Sequence, residues 1–451
     1  MIEQVIQVLK NVHENELART LVKTFAKYST QLQEFDILGK CAFDLKDYKM
    51  ATLMAEKVVE LANQEQIYDA KCNLANALVH CNYPEKTLEI VSELETLIPD
   101  NKELQLKKSY AYFLLGDRDK AEQILRQELD SPTITNKTKT EINFNLGTYE
   151  LYRDNFQEGL RRFLLIGREM GVWKKPRLPF KMWNGEDIEG KTLVLRTEAG
   201  IGDEFINIRF MKHLKEKGIN PVWLTERKDL KEVFNRNGYK TISDINELIF
   251  IDGVGDLCWC HSMDLPILLN LEYKDLWYGP YITSSNNSNI HPFLQNDNIK
   301  KIGIRWQGNP YYENDLHRTI PLSQLMDVLD EDYHFDIFSL QKDEGIEELN
   351  EYPHVVNLND SYLNNWEQTL DCVNKLDVVI TSCTSIAHAS AAMGKRTFVF
   401  VSLSSYYVWC HSMKQSPWYG DNVTLLRQVK PRSWKEPMNE LKQYLKDEFD
   451  K

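Results

Sequence analysis

The sequence predicts a stack of paired helices followed by two α/β units that face each other across a cleft, with the change near residue 175. Three observations carry this expectation. Up to about residue 170, apolar residues recur at intervals of three and four with very little proline, the periodicity of amphipathic helices. Four short polar turns interrupt that pattern at intervals of roughly 34 to 37 residues. After residue 189, strand-like runs alternate with helical ones, as in parallel sheets wrapped by helices.

The turns are "LKDYKMA" at 45–51, "CNYPEKT" at 81–87, "LGDRDKA" at 115–121 and "YRDNFQE" at 152–158. Their period fits antiparallel helix pairs stacking as a solenoid, the tetratricopeptide type being nearest at about 34 residues. A plain helical bundle is the alternative, because helix pairs alone do not fix a superhelix. Ala70, Ala75, Ala111, Gly116 and Ala121 fall where such helices pack closely. Pro99 in "LIPDN" is expected to end a second helix of a pair.

Between Gly171 and Gly190 the run "GVWKKPRLPFKMWNGEDIEG" has no period and reads as a linker or docking segment. The alternation then begins with "KTLVLRT" and "PVWLTE" and continues through "KKIGIRWQG", "HFDIFSLQ", "DVVITS" and "KRTFVFVS", with helical runs between. A polar stretch at 284–298 divides it. The expected organisation is 1–172 helical repeats, 173–188 linker, 189–294 first α/β unit and 295–451 second α/β unit.

A length of 451 residues suggests two to four domains, and a net charge of -13 argues against a surface that coats nucleic acid. No basic region followed by an apolar one opens the chain, and no run approaches the length of a membrane span. The expectation is a soluble cytoplasmic protein with no membrane span. Eight cysteines in mostly apolar runs read as reduced core residues. Cys258-Trp259-Cys260-His261 lacks the second ligand pair of a structural zinc site, so no metal is expected. The pentapeptide "WCHSM" occurs at 259–263 and again at 409–413, with no physical account beyond chance.

The run "EAGIGDEF" at 198–205 joins the strand-like 192–196 to a helical pattern. A dinucleotide fingerprint requires a third glycine where Phe205 stands, which argues against a nicotinamide site. Gly200 and Gly202 permit a sharp turn and close approach to a ligand, and Asp203 stands at a helix start, where a carboxylate is also a favoured cap.

The run "RTEAGIGDEFINIRF" resembles the first motif of heptosyltransferase-like glycosyltransferases, especially those joined to tetratricopeptide repeats. "IGIRWQGNPYYENDLHRTIPL", "FSLQKDEG", "TSCTSIAHASAAMGK" and "SPWYG" resemble that family's later blocks, in the same order, over roughly half the chain. The resemblance implies a GT-B fold: two Rossmann-like domains, acceptor side first and nucleotide-sugar side second. The family's C-terminal helix commonly crosses back, and the amphipathic 433–449 segment is a candidate for it, or for a terminal surface helix.

By that resemblance the chain is a glycosyltransferase, inverting and independent of metal, which takes a nucleotide sugar as substrate and needs no further cofactor. Asp203 is its general base, with Glu198 and Glu204 as nearby substitutes and His317 and His388 as further ones. The segment "CTSIAH" follows an apolar strand and opens a helix, so backbone N–H groups with Thr384 and Ser385 would meet a diphosphate; His388 follows. Arg305 and Arg318 occupy positions of basic phosphate contacts, and Gln341 and Lys342 close another strand where ligands meet a parallel sheet. Trp306, Tyr311, Trp409, Trp418 and Tyr419 are candidates for stacking on a base or sugar. The chain departs from the pattern at Cys383, where the family usually has aspartate. The repeats would recruit a protein or glycan acceptor. Two alternatives remain: a non-catalytic repeat scaffold or nucleotide-sugar-binding protein, fed by Cys383, and a nucleotide-sugar epimerase, against which the repeats and "SPWYG" argue.

Overall fold

A computed structural model describes residues 2–12, 14–98, 101–132, 134–169, 177–251, 253–286, 290–296, 298–312, 314–330, 335–342, 344–359 and 361–449. Pro99, Gly171 and the first residues of the expected linker lie outside them.

The first part is a solenoid of helical hairpins: α1 (Ile2–Asn11) with α2 (Asn15–Ala26), α3 (Leu32–Asp44) with α4 (Tyr48–Leu61), α5 (Ile67–His80) with α6 (Pro84–Leu97), α7 (Lys102–Leu114) with α8 (Arg118–Leu129), and α9 (Asn136–Tyr152) with α10 (Phe156–Arg161). Four of the turns within a hairpin have one design. A single left-handed residue, Lys46, Asn82, Gly116 or Asp154, reverses the chain after the first helix. The next N–H then reaches back five residues, as in Asp47 to Ala42 and Asp117 to Tyr112, which satisfies a carbonyl the helix end would leave bare. Asp47 and Asp117 cap the following helices by accepting from Met50 and Lys120, and Pro84 begins α6, where its missing N–H costs nothing. These are the four polar turns of the sequence. Gly116 serves there for its backbone, with no atom near enough to require a small side chain, whereas Ala70, Ala75, Ala111 and Ala121 are buried between helices as expected.

The second part holds two parallel sheets. The first comprises β1 (Lys181–Met182), β2 (Thr192–Arg196), β3 (Asn220–Leu224), β4 (Thr241–Ile242) and β5 (Leu257–His261), in the order β1-β5-β2-β3-β4. The second comprises β6 (Lys300–Arg305), β7 (Phe335–Ser339), β8 (Val356–Asn357), β9 (Val378–Ser382), β10 (Arg396–Val401), β11 (Gln415–Ser416) and β12 (Gly420–Arg427), in the order β11-β12-β10-β9-β6-β7-β8. Only the β11/β12 pair is antiparallel. Strands buried on both faces, such as "TLVL" and "VVITS", read as continuous apolar runs for that reason.

Three segments are defined only by the packing. The expected linker contributes β1 to the first sheet, and Trp183 and Ile188 enter its core. The first "WCHSM" lies on β5 in the middle of that sheet, with Cys258 and Cys260 in the core, whereas the second follows β10 as a short 3-10 turn and loop. The two copies share no structural role. The C-terminal helix Lys435–Phe449 buries Met438, Leu441 and Leu445 against the second sheet's own core and packs on the Leu322–Leu329 helix and β12, so it lies on the second unit instead of crossing back. No helix among the described residues is long and apolar enough to cross a membrane.

The solenoid docks by the edge that carries its turns. His80 O meets His317 Nε2 at 3.2 Å, Asn82 O and Glu85 meet Arg432, and Asp154 accepts from the Ser412 amide at 3.1 Å. A row of rings, Phe43, Tyr48, His80, Tyr110, Phe113 and Tyr152, runs along this edge with successive centroids 5.1 to 6.3 Å apart. At the far end one apolar core is continuous through Leu151, Phe156 and Leu160 of the repeats to Phe210 of the first unit and Trp418 of the second. Arg168, following the last hairpin, donates to both oxygens of Glu198 (3.0 and 2.6 Å) and to Asp264 (2.6 Å), and all three side chains are largely buried.

Replacing Arg168 by Ala strands two buried carboxylates without their cation. A loss of about 3–5 kcal/mol in unfolding free energy is expected, read by urea denaturation; a change within the range of a surface pair, about 0.5 kcal/mol, would contradict the account.

Candidate functional site

In an open parallel sheet, neighbouring crossovers leave to opposite faces at one point in the strand order, and a crevice opens there beyond the carboxyl ends of the strands. In the first sheet that point lies between β2 and β5, where Arg196 is opposite His261. In the second it lies between β6 and β9, where Arg305 is opposite Thr381. The "EAGIGDEF" turn leaves β2 and the "CTSIAH" turn leaves β9, so both enter the cleft from these two points.

The helix Ile201–Asn207 packs directly on the helix Ser385–Ala392 of the other sheet. Gly202 makes this possible: a Cβ there would lie 2.8 Å from Cδ2 of His388. The sharp turn itself falls on Ala199, whose φ of 58° lies in the left-handed region that non-glycine residues rarely enter. Gly200 is extended, at φ -94° and ψ 178°, and serves as the N-cap. Phe205 stands where a dinucleotide site has its third glycine because it packs on Trp366 and Phe234 with centroids 4.9 and 5.7 Å away.

Asp203 is both a cap and a cleft residue. Its Oδ2 accepts the Gly200 N–H at 2.9 Å, and its Oδ1 accepts the hydroxyl of Tyr406, from the loop after β10, at 2.8 Å. The side chain is 7% exposed, and burial pushes its carboxyl from 3.8 up to about 6, against the opposing pull of these two hydrogen bonds. The other expected carboxylates are committed elsewhere. Glu198 belongs to Arg168, and Glu204 accepts from the Trp223 indole (3.1 Å), the Thr225 hydroxyl (3.0 Å) and Arg227. His317 sits on the repeats through His80 and is not at the cleft.

Across the cleft, the Thr384 hydroxyl lies 3.2 Å from that of Thr381 and does not cap its helix, so the N-cap side chain leaves the N–H of Ser385 uncovered. Arg318 lies against this turn. It donates to the carbonyl of Cys383 at 2.5 Å, is held by Asp315 at 2.9 Å, and stacks over Tyr312 at 4.6 Å. Arg305 donates to the carbonyls of Gln307 and Leu340, each at 3.2 Å. Gln341 is fully buried and bonded on both sides to backbone, accepting from Gln307 N and donating to Glu344 O. Lys342 donates to Leu363 O at 3.2 Å.

His388 Nδ1 lies 2.9 Å from the Tyr419 hydroxyl, and the ring stacks on Trp409 at 5.1 Å and 7°. Burial, with Arg209 and Arg318 nearby, lowers it to about 3, so the imidazole is neutral at physiological pH. The Trp409 indole donates to the Cys383 thiol at 2.9 Å, which occupies that sulfur. Trp306, Trp418 and Tyr419 are fully buried and fill the core, and Tyr311 rests on α2 beneath Arg19, so these four do not present stacking faces to a ligand. Two surface cavities, of about 350 and 490 Å³, open away from the cleft beside Lys300 and beside Tyr278.

Sequence reasoning missed Tyr406, which "SSYY" does not advertise, and Arg209. The latter is fully buried without a carboxylate, bonded to the carbonyls of Ile206, Leu276 and Trp418 and set between the rings of Tyr281 and Tyr419 at 4.7 and 4.5 Å.

No family model matches the sequence, and no curated protein does. Among solved structures, the chain is similar to a thermophilic TPR protein of Thermus thermophilus (20% identity, 38% of this chain and 90% of that one, TM-score 0.29). It is also similar to a mutant O-GlcNAc transferase of Thermobaculum terrenum (10% identity, 99% and 92%, TM-score 0.38) and to E. coli heptosyltransferase WaaC with ADP-2-deoxy-2-fluoro heptose (11% identity, 57% and 99%, TM-score 0.39). The topology itself defines the class: a tetratricopeptide-like solenoid joined to two opposed Rossmann-like sheets, the GT-B glycosyltransferase fold.

Two outcomes follow from the contacts at the cleft. Gly202→Ala should separate the two helices and cost about 1–3 kcal/mol, measured by urea unfolding. Because Asp203 binds its proton more tightly folded than unfolded, its contribution to stability falls as pH rises from about 4 to about 6. Asp203→Asn should remove about 2 kcal/mol of that pH-dependent loss, seen by comparing unfolding at pH 4.5 and 7.

Proposed function

We propose that the chain transfers a sugar from a nucleotide-sugar donor to an acceptor hydroxyl with inversion, and that protein groups, without a metal, receive the charge of the departing diphosphate. The observation that carries this reading is the opposition of a buried, two-point-anchored carboxylate, Asp203, to a helix N-terminus that its own N-cap leaves open. Asp203 takes the proton of the acceptor hydroxyl, whose oxygen forms a bond to the anomeric carbon as the bond from that carbon to the diphosphate breaks. A carboxyl raised to about 6 is a stronger base than an ordinary aspartate and is still ionised at neutral pH. The nucleoside diphosphate leaves against the N–H groups at Ser385, the Thr384 hydroxyl, Arg305, Arg318 and Lys342. Gln341 braces the loop beside them, and neutral His388 offers a ring N–H without adding charge.

The repeats, docked by their turn edge, leave their helix faces for a protein or glycan acceptor. All eight cysteines are unpaired, which suits the reducing cytoplasm. A second reading, a nucleotide-sugar-binding scaffold without turnover, is favoured by one observation: Cys383, where the resembling pattern has aspartate, is occupied by Trp409.

Nucleoside-diphosphate release from a panel of UDP-, GDP- and ADP-linked sugars, with CMP release from a CMP-linked sugar as the monophosphate counterpart, separates the two readings. Transfer predicts release from one donor, rising with pH through about 6, and reduced about 10²–10⁴-fold by Asp203→Asn while donor binding persists. Donor binding without release, with cell-lysate acceptors present, selects the scaffold.

A further inference from the structure

We infer that Tyr406 is a positioning residue for Asp203: a hydroxyl delivered by the second sheet that fixes the orientation of the carboxylate carried by the first. The inference rests on the reading of Asp203 as the base.

The two oxygens of Asp203 are held from two directions, Oδ2 by the Gly200 N–H of its own helix and Oδ1 by Tyr406 from across the cleft. One bond leaves a carboxylate free to turn about its χ2, where rotamers are broad; two bonds to different oxygens do not. Each oxygen keeps a second lone pair in a fixed direction, so an acceptor hydroxyl meets a carboxylate of defined orientation.

Tyr406 is itself held. Its ring contacts Tyr407 at 4.7 Å and Phe163 of the last hairpin at 6.3 Å. Its loop is closed by the Ser402 hydroxyl on Ser404 O at 2.9 Å and tied to the repeats, where Tyr110 lies 3.5 Å from the Ser404 hydroxyl and Tyr152 reaches Leu403 O at 3.4 Å as well as the Ser405 hydroxyl. Solenoid, first sheet and second sheet therefore meet at one carboxylate. The base is completed only when the two sheets are closed on each other.

The groups that face Asp203 are Tyr406 and Tyr407 from the second sheet, the Cys383 thiol at the end of β9, and Arg227 from the first unit. Of the hydroxyls, that of Tyr406 bonds the carboxylate directly and so favours its ionised form. Its removal has a predictable sign: the carboxyl rises further, and the group regains rotation.

Tyr406→Phe keeps the ring contacts and deletes only the hydroxyl. The first readout needs no turnover: titration of the Asp203 carboxyl carbon by ¹³C NMR, its resonance assigned by its loss in Asp203→Asn. A midpoint near 6 in the parent should move about one pH unit higher in Tyr406→Phe. The second is the acid limb of kcat, which should move with it, giving a fall of about threefold in kcat near pH 6.5 with donor KM unchanged. An unmoved carbon titration overturns the inference. So does a rise in kcat/KM for the acceptor, because the hydroxyl would then be competing for Asp203. A shifted titration in a protein that turns over no donor leaves Tyr406 as the orienting group and refutes the transferase reading alone.

Discussion

The contact of Gly202 on His388 is the constraint on which the rest of the arrangement depends, because it brings the first turns of two helices from different sheets within van der Waals distance. A side chain at 202 would hold them apart, and the carboxylate one residue further on would then face water. With the helices closed, Asp203 is buried and its affinity for a proton rises. The same closure lets a residue of the second sheet bond a residue of the first. Burial alone would make Asp203 a poor anion; the hydrogen bonds from Gly200 and Tyr406 keep its displacement moderate, which leaves it ionised at neutral pH yet more basic than in water.

On the opposite wall the charges have the other sign and a different origin. A helix N-terminus contributes partial charge without a titratable group, and Arg318 adds a full charge held in place by Asp315 and the Cys383 carbonyl. His388 is kept neutral by its burial, with Arg209 and Arg318 adding to the effect, so it adds a polar contact and no net charge. The buried Arg209 lies behind this wall. Its charge is met by carbonyl oxygens and aromatic faces between the two sheets.

Much of this was legible in the sequence because it follows from local rules. The hairpin turns declare themselves through residues that tolerate left-handed backbone or cap helices, and the buried strands through unbroken apolar runs. Asp203, Thr384 and Arg318 stand out in the sequence because they lie in segments that follow central strands, and ordered blocks mark those segments. What escaped was set by distant packing. Lys181–Met182 is too short to show a period, yet it pairs with β5. "WCHSM" reads as a metal or chance motif when its neighbours in the sheet are unknown. The left-handed turn falls on Ala199, beside the glycines that seemed to offer it. Glu198 and Glu204 are plausible bases by proximity in sequence and His317 by its place in a later block, and only the fold shows that Arg168, Arg227 and His80 already engage them. Tyr406 belongs to a loop about two hundred residues from Asp203 and has no local signal of its role.

The solenoid extends the constraint beyond the cleft. By docking through its turns it fixes the 402–406 loop, the Arg432 segment and the β5 end in one frame, so the cleft is assembled from all three parts of the chain. The central claim is that a nucleoside diphosphate occupies this cleft at the open end of the Ser385–Ala392 helix. A crystal structure of the complex, with the base chosen by the largest thermal shift, tests it most directly. Diphosphate density at the Ser385 amide, within reach of Arg318 and opposite Asp203, is the predicted result; density confined to either surface cavity, with the cleft closed and empty, would contradict the account.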